Sequence, residues 1–172
     1  MPSKRRAEKP HRIAVVFVSK VGCHACLAFK NDLGMWKEIQ SQLASASSPN
    51  PADEKSAFRD SAAIQFDFSE SDYADLPEWV RTKLRFAPVL VCLSLRKNRG
   101  AKRTPGLETP PDQLYHSIWQ VFDSSTMKVK STEDFHRHID SFTAKIQMKR
   151  ASRAKSINKR TTLSRLLSSF VL

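Results

Sequence analysis

A chain of 172 residues with 40% hydrophobic side chains can bury one core of ordinary size, and only four glycines exclude a glycine-rich barrel or linker protein. The net charge of +12 sits at the ends: residues 1–12 carry +4 and residues 145–172 carry +8, while 13–144 holds sixteen charges of each sign. A neutral body with cationic ends places no base-reading face on the folded part and suits a chain held against a polyanion or an acidic protein surface.

The first predicted element is a buried strand, "RIAVVFVS" (Arg12 to Ser19), continuously apolar and β-branched. It breaks at Lys20-Val21-Gly22, and Cys23 and Cys26 follow. From Cys26 the apolar residues Phe29, Leu33, Trp36, Ile39 and Leu43 recur at helical spacing. They predict one amphipathic helix of about eighteen residues that tolerates Gly34. After a small-residue and proline loop, Ala44 to Ser56, alternation of Ile64, Phe66 and Phe68 predicts a strand over 62–69.

"YADLPEWVRTKL" predicts a short helix with Pro77 in its first turn and Trp79, Val80 and Leu84 buried. "FAPVLVCLSL" (Phe86 to Leu95) predicts a second buried strand with a proline near its entry. A basic, proline-containing loop fills Arg96 to Asp112, and Tyr115 to Asp123 predicts a strand near the sheet edge. "STEDFHRHIDSF" (131–142) opens on a capping pattern, Ser131 or Thr132 with Asp134, and puts Phe135, Ile139 and Phe142 on one helical face.

The order is that of a compact α/β layer fold, with a parallel first half and a hairpin-like second half. The chain divides into a basic tail (1–12), a folded domain (13–144) and a basic extension (145–172). That extension ends in a stripe of Leu163, Leu166, Leu167 and Phe170, too short for a stable free helix and suited to docking on its own domain or on a partner. No apolar stretch reaches membrane-spanning length, and the basic start has no cleavage pattern, so neither a membrane span nor a secretory signal is expected. Three cysteines are an odd count for an extracellular disulfide framework. The expected setting is the cytoplasm or an intracellular assembly, where a C-x-x-C is catalytic, redox-sensing or metal-binding.

A strand, a tight turn and a helix starting at the cysteine pair put Cys23 where unpaired backbone N–H groups and the helix dipole favour a thiolate. Cys26, one turn along, can resolve a mixed disulfide. Lys20 and His24 can add to thiolate stabilisation. Zinc needs two further ligands. Cys92 lies in an apolar strand, and His116, His136 and His138 show no spacing aimed at Cys23 and Cys26, so no metal is expected. Cys92 itself reads as a small buried hydrophobe.

The succession "AVVFVSKVGCHAC", "AIQFDFSES" and "WVRTKLRFAPVLVCL" resembles the thioredoxin-fold family over about Arg12 to Phe142. The resemblance implies a thioredoxin-like fold with a central mixed β-sheet flanked by helices. It implies Cys23 as attacking cysteine, Cys26 as resolving cysteine, and Pro88 as a cis-proline whose loop presents backbone to an extended peptide. No cofactor beyond an external thiol is implied. The chain departs from the family pattern in Gly22-Cys23-His24-Ala25-Cys26, which lacks the proline before the resolving cysteine. Phe17 stands where many members carry a buried acid, and Val89 follows the proline where threonine is common.

Two functions follow. One is thiol–disulfide exchange on a protein disulfide. The alternative is a structural or scaffolding component of a large assembly, a virion or ribonucleoprotein, anchored by the basic ends. A sequence-specific nucleic-acid binder fits less well, because no base-reading module is present, and any such contact reduces to salt-dependent phosphate neutralisation.

Overall fold

The computed structural model describes residues 13–46, 75–84, 87–96, 105–123, 125–126 and 128–168. The N-terminal tail, the strand expected over 62–69, most of the basic loop and the side chains of the terminal leucine stripe lie outside the described residues.

Among the described residues three strands form one sheet in the order β1-β2-β3: β1 (Ile13–Val18), β2 (Val89–Leu95) and β3 (Leu114–Gln120). Both pairings are antiparallel, with Val15 opposite Cys92 and Cys92 opposite Ser117. The parallel half expected from sequence rests on residues 62–69, so the described sheet is antiparallel.

The unbroken apolar runs of β1 and β2 have a direct cause. Alternate residues of each strand enter two different cores. Ile13, Val15, Phe17, Leu90 and Cys92 face one side, and Ala14, Val16, Val18, Val89, Val91 and Leu93 face the other. The first side is covered by α1 (His24–Leu27), α2 (Met35–Ala46) and the N-terminal half of α4 (Thr132–Ser168). The second is covered by α3 (Glu78–Arg81), through Val80, and by Leu76 and Leu84 on either side of it, together with Leu107. Each fully buried Phe or Ile here, such as Phe17, Phe29, Ile39 and Ile139, contributes about 1.5–3 kcal/mol by leaving water.

The helix expected to run through Gly34 is instead two helices. After α1 the chain widens into a π-helical turn, Ala28–Asp32, closed by the Leu33 N–H donating to the Ala28 carbonyl at 2.9 Å. Gly34 then takes φ +62°, left-handed backbone that ends one helix and re-aims the next. Leu33, which periodicity puts on the buried face, is consequently 50% exposed, whereas Phe29 and Trp36 on either side remain in the core.

The start of α4 follows its sequence signal. Ser131 is the cap: its Oγ accepts from the Asp134 N–H at 3.2 Å, and Asp134 Oδ2 accepts from the Ser131 N–H at 3.0 Å. Thr132 Oγ1 donates to Glu38 of α2 at 3.1 Å, tying the two helices together. α4 then continues for 37 residues, passing through Ala144 without interruption, and Ile146 beyond that point is buried.

Candidate active site

Antiparallel pairing puts the end of β1 beside the start of β2, with Val18 opposite Val89. The segments just outside that pair, Ser19 to Cys26 and Ala87-Pro88, therefore meet at one end of the sheet. Gly22, at φ +72°, provides the turn that brings the chain back from β1, and the Cys23 N–H donates to the Lys20 carbonyl at 3.1 Å.

Cys23 is the cap residue of α1 and Cys26 lies within it. A disulfide joins them, with the Cα atoms 5.3 Å apart. The Cys26 N–H donates to Cys23 Sγ at 3.2 Å and the Leu27 N–H to the Cys23 carbonyl at 3.2 Å, so backbone donors converge on the first cysteine. The two sulfurs are unequal: Cys23 is half-buried, and Cys26 is buried beside Phe17, Phe29 and Trp36. A cleft of about 270 Å³ opens over the pair, lined by Ser19, Lys20, Val21, Gly22, Cys23, Cys26 and Leu27.

Cys23 Sγ lies 3.9 Å from the Ala87 carbonyl oxygen. The Ala87–Pro88 peptide bond is cis. Cys23, Cys26 and the Ala87-Pro88 step thus occupy one neighbourhood. The Ala87 carbonyl is a contact that residue spacing does not disclose, because 64 residues separate it from Cys23. Val21 and Leu27 are further features missed in the sequence. They flank the disulfide at 74% and 51% exposure and give it an apolar rim.

Phe17 is fully buried and stacks on Phe29 and Trp36, with ring centroids 5.5 and 5.2 Å apart. Among the described residues the buried polar side chains are Ser19, Ser94, Thr132 and Thr143, so no buried carboxylate serves Cys26. Cys92 is wholly buried on β2, and burial pushes its thiol far above the ordinary range. Among the described residues no group of three His, Cys, Asp or Glu side chains is placed to hold a metal ion.

His116 faces α3, with its ring 4.9 Å from that of Trp79 and Nε2 2.7 Å from Lys83 Nζ. His136 contacts Gln42 of α2. His24 is exposed between the cysteines.

What the site presents is a small α/β domain with a C-x-x-C disulfide at a helix start, an accessible first sulfur and a sheltered second one. Compared with protein-family models and with curated proteins, the chain matches none.

Proposed function

We propose that this chain is a thiol–disulfide oxidoreductase-like protein of thioredoxin-like fold, acting on protein disulfides through Cys23 and Cys26. The observation that carries the reading is the inequality of the two sulfurs, with Cys23 half-buried beneath an open cleft and Cys26 buried behind it. The Cys26 N–H, donated to Cys23 Sγ, favours the Cys23 thiolate, the nucleophilic form.

In the reducing direction, the Cys23 thiolate attacks one sulfur of a substrate disulfide. A mixed disulfide forms, and the other substrate sulfur leaves as a thiolate that takes a proton from solvent. Cys26, deprotonated, attacks the Cys23 sulfur, closing the Cys23–Cys26 disulfide and releasing the second substrate thiol. The substrate gains two electrons and the dithiol loses two; an external thiol restores the dithiol. The Ala87-Pro88 step beside Cys23 is assigned the cradling of the extended peptide that carries the target cysteine. Phe17 stands in place of a buried acid, and among the described residues no buried carboxylate is available to take the Cys26 proton, which is assigned to solvent.

A trapping experiment tests this. Full-length protein carrying Cys26→Ser, mixed with a disulfide-containing protein, is expected to accumulate a mixed disulfide at Cys23 on non-reducing gels. Cys23→Ser should accumulate none, and Cys92→Ser should leave trapping unchanged. Equal amounts of adduct from Cys23→Ser and Cys26→Ser would sink the assignment.

A further inference from the structure

The opposite end of the sheet carries a second cleft, unrelated to the dithiol. We propose that the cleft formed by Arg96, Tyr115, Lys149 and Arg153 binds the phosphate backbone of a nucleic-acid strand.

β2 ends at Leu95, and Arg96 follows at the sheet end remote from Val89. At about 3.4 Å per residue, the length of β2 puts roughly 20 Å between the two ends. Here α4 leaves the sheet. Its buried stripe, Phe135, Ile139, Phe142 and Ile146, continues in the same spacing as Lys149, Arg150 and Arg153, so one helical face turns from apolar to cationic as it passes the sheet end. Arg150 anchors the transition, donating from Nη2 to the Leu95 carbonyl at 2.9 Å.

A cleft of about 390 Å³ results, lined by Arg96, Tyr115, Met148, Lys149, Ser152 and Arg153. The Arg96 guanidinium and Lys149 ammonium both lie against the Tyr115 ring, 5.1 and 5.6 Å from its centroid, which fixes two cations at one site. Arg96 Nε is buried with no hydrogen-bond partner among the described residues. No carboxylate among those residues pairs with Arg96, Lys149 or Arg153. The field is felt at His116: its imidazolium is disfavoured first by burial, then by Lys83, Arg96 and Lys149.

The extent of the charge selects a polymer over a single anion. Lys145, Lys149 and Arg153 are exposed and recur every fourth residue, about 6 Å apart along the axis. No acidic residue follows Asp140 anywhere in the sequence, and Lys97, Arg99, Lys102 and Arg103 follow Arg96 with no acid among them. Two acid-free basic stretches therefore start from one cleft. Tyr115 is only 8% exposed and occupied by its two cations, so no base stacks on it. Binding is backbone neutralisation without base readout.

The test is fluorescence anisotropy of a labelled oligodeoxynucleotide with full-length protein across a salt series. The pair Lys149→Glu/Arg153→Glu is expected to weaken binding on the order of tenfold or more and to flatten the salt slope by about one per cation removed. The charge-matched pair Lys37→Glu/Lys128→Glu, on exposed sites elsewhere, should change affinity far less. Arg96→Gln, which leaves α4 intact, should also weaken binding. A cooperative thermal unfolding transition near that of the wild type reports that each variant is folded. If the glutamate pair does not fold, Lys149→Gln/Arg153→Gln is read in its place, with loss again expected. Equal losses from the cleft and control pairs, or full affinity in Arg96→Gln, would overturn the cleft. Polyglutamate that displaces the oligonucleotide at equal charge concentration would overturn the choice of nucleic acid in favour of an acidic protein surface.

Discussion

His116 and His138 each hold one ring nitrogen buried and unpartnered among the described residues. Burial first, then Lys83, Arg96 and Lys149, lower the pKa of His116; burial first, then Lys130 and Lys145, lower that of His138. Unfolded, both titrate at the ordinary 6.5. Between the lowered native values and 6.5 the unfolded chain binds more protons than the native one, so the unfolding free energy falls as the pH drops through that window. Stability is complete above it. The thermal midpoint should therefore hold near neutrality and decline below about pH 6.5, and the His116→Gln/His138→Gln pair should flatten that decline. An identical acid limb in wild type and variant would exclude the two rings as its source. The carboxylates of Asp123 and Asp134, lowered from 3.8 by hydrogen bonds from Ser125 and Ser131, act in a separate window at lower pH. At this scale the sequence is informative about Phe17, since an apolar residue in a strand followed by C-x-x-C can only be core. It is silent on the Ala87 carbonyl, a backbone atom that no side-chain pattern reports.

Between residues and fold, the break at Gly34 is the element most at odds with periodicity. A Cβ built at Gly34 meets no atom within 4 Å, so the cost of substitution lies in the backbone alone. Gly34→Ala should destabilise by about 1–2 kcal/mol, the penalty for an L-residue in left-handed conformation. Gly34→Asn should lose less. Chemical denaturation of the two variants checks this, and an unaffected Gly34→Ala would mean that residues 26–43 straighten into one helix in solution. The reason for the discrepancy is physical. Apolar spacing records which residues have a hydrophobic side, and a π-helical turn adds residues to the path without altering their identity, so Leu33 retains its place in the pattern while leaving the core. β1 and β2 were legible because burial on both faces demands an apolar residue at every position. The start of α4 was legible because Ser131 and Asp134 satisfy each other's backbone donors. Its length was not, since its apolar stripe turns basic while Lys, Arg and Ala continue to favour helix.

For the whole molecule, the three layers leave two ends of one sheet with different chemistry: the disulfide and the Ala87-Pro88 step at one, Arg96 and the departing α4 at the other. How far the folded unit extends along α4 decides whether the basic helix is part of the domain or attached to it. Composition divides the chain after Ala144, where acidic residues are already absent and the cationic run begins. Packing gives the helix further anchors, in the burial of Ile146 and the hydrogen bond from Arg150 to the Leu95 carbonyl. Removing a buried isoleucine side chain costs about 2–5 kcal/mol, which for a domain of this size corresponds to a midpoint lower by roughly 5–15 °C. A chain ended after Ala144 should show that loss, while one ended after Ser156, which keeps both anchors, should melt close to the full-length protein. The two truncations also separate stability from charge, because the longer one retains Lys149 and Arg153 and loses Lys159, Arg160 and Arg165. Equal midpoints for both truncations and the full chain would place the packed unit's end before Ile146 and make the whole of the basic helix an appendage.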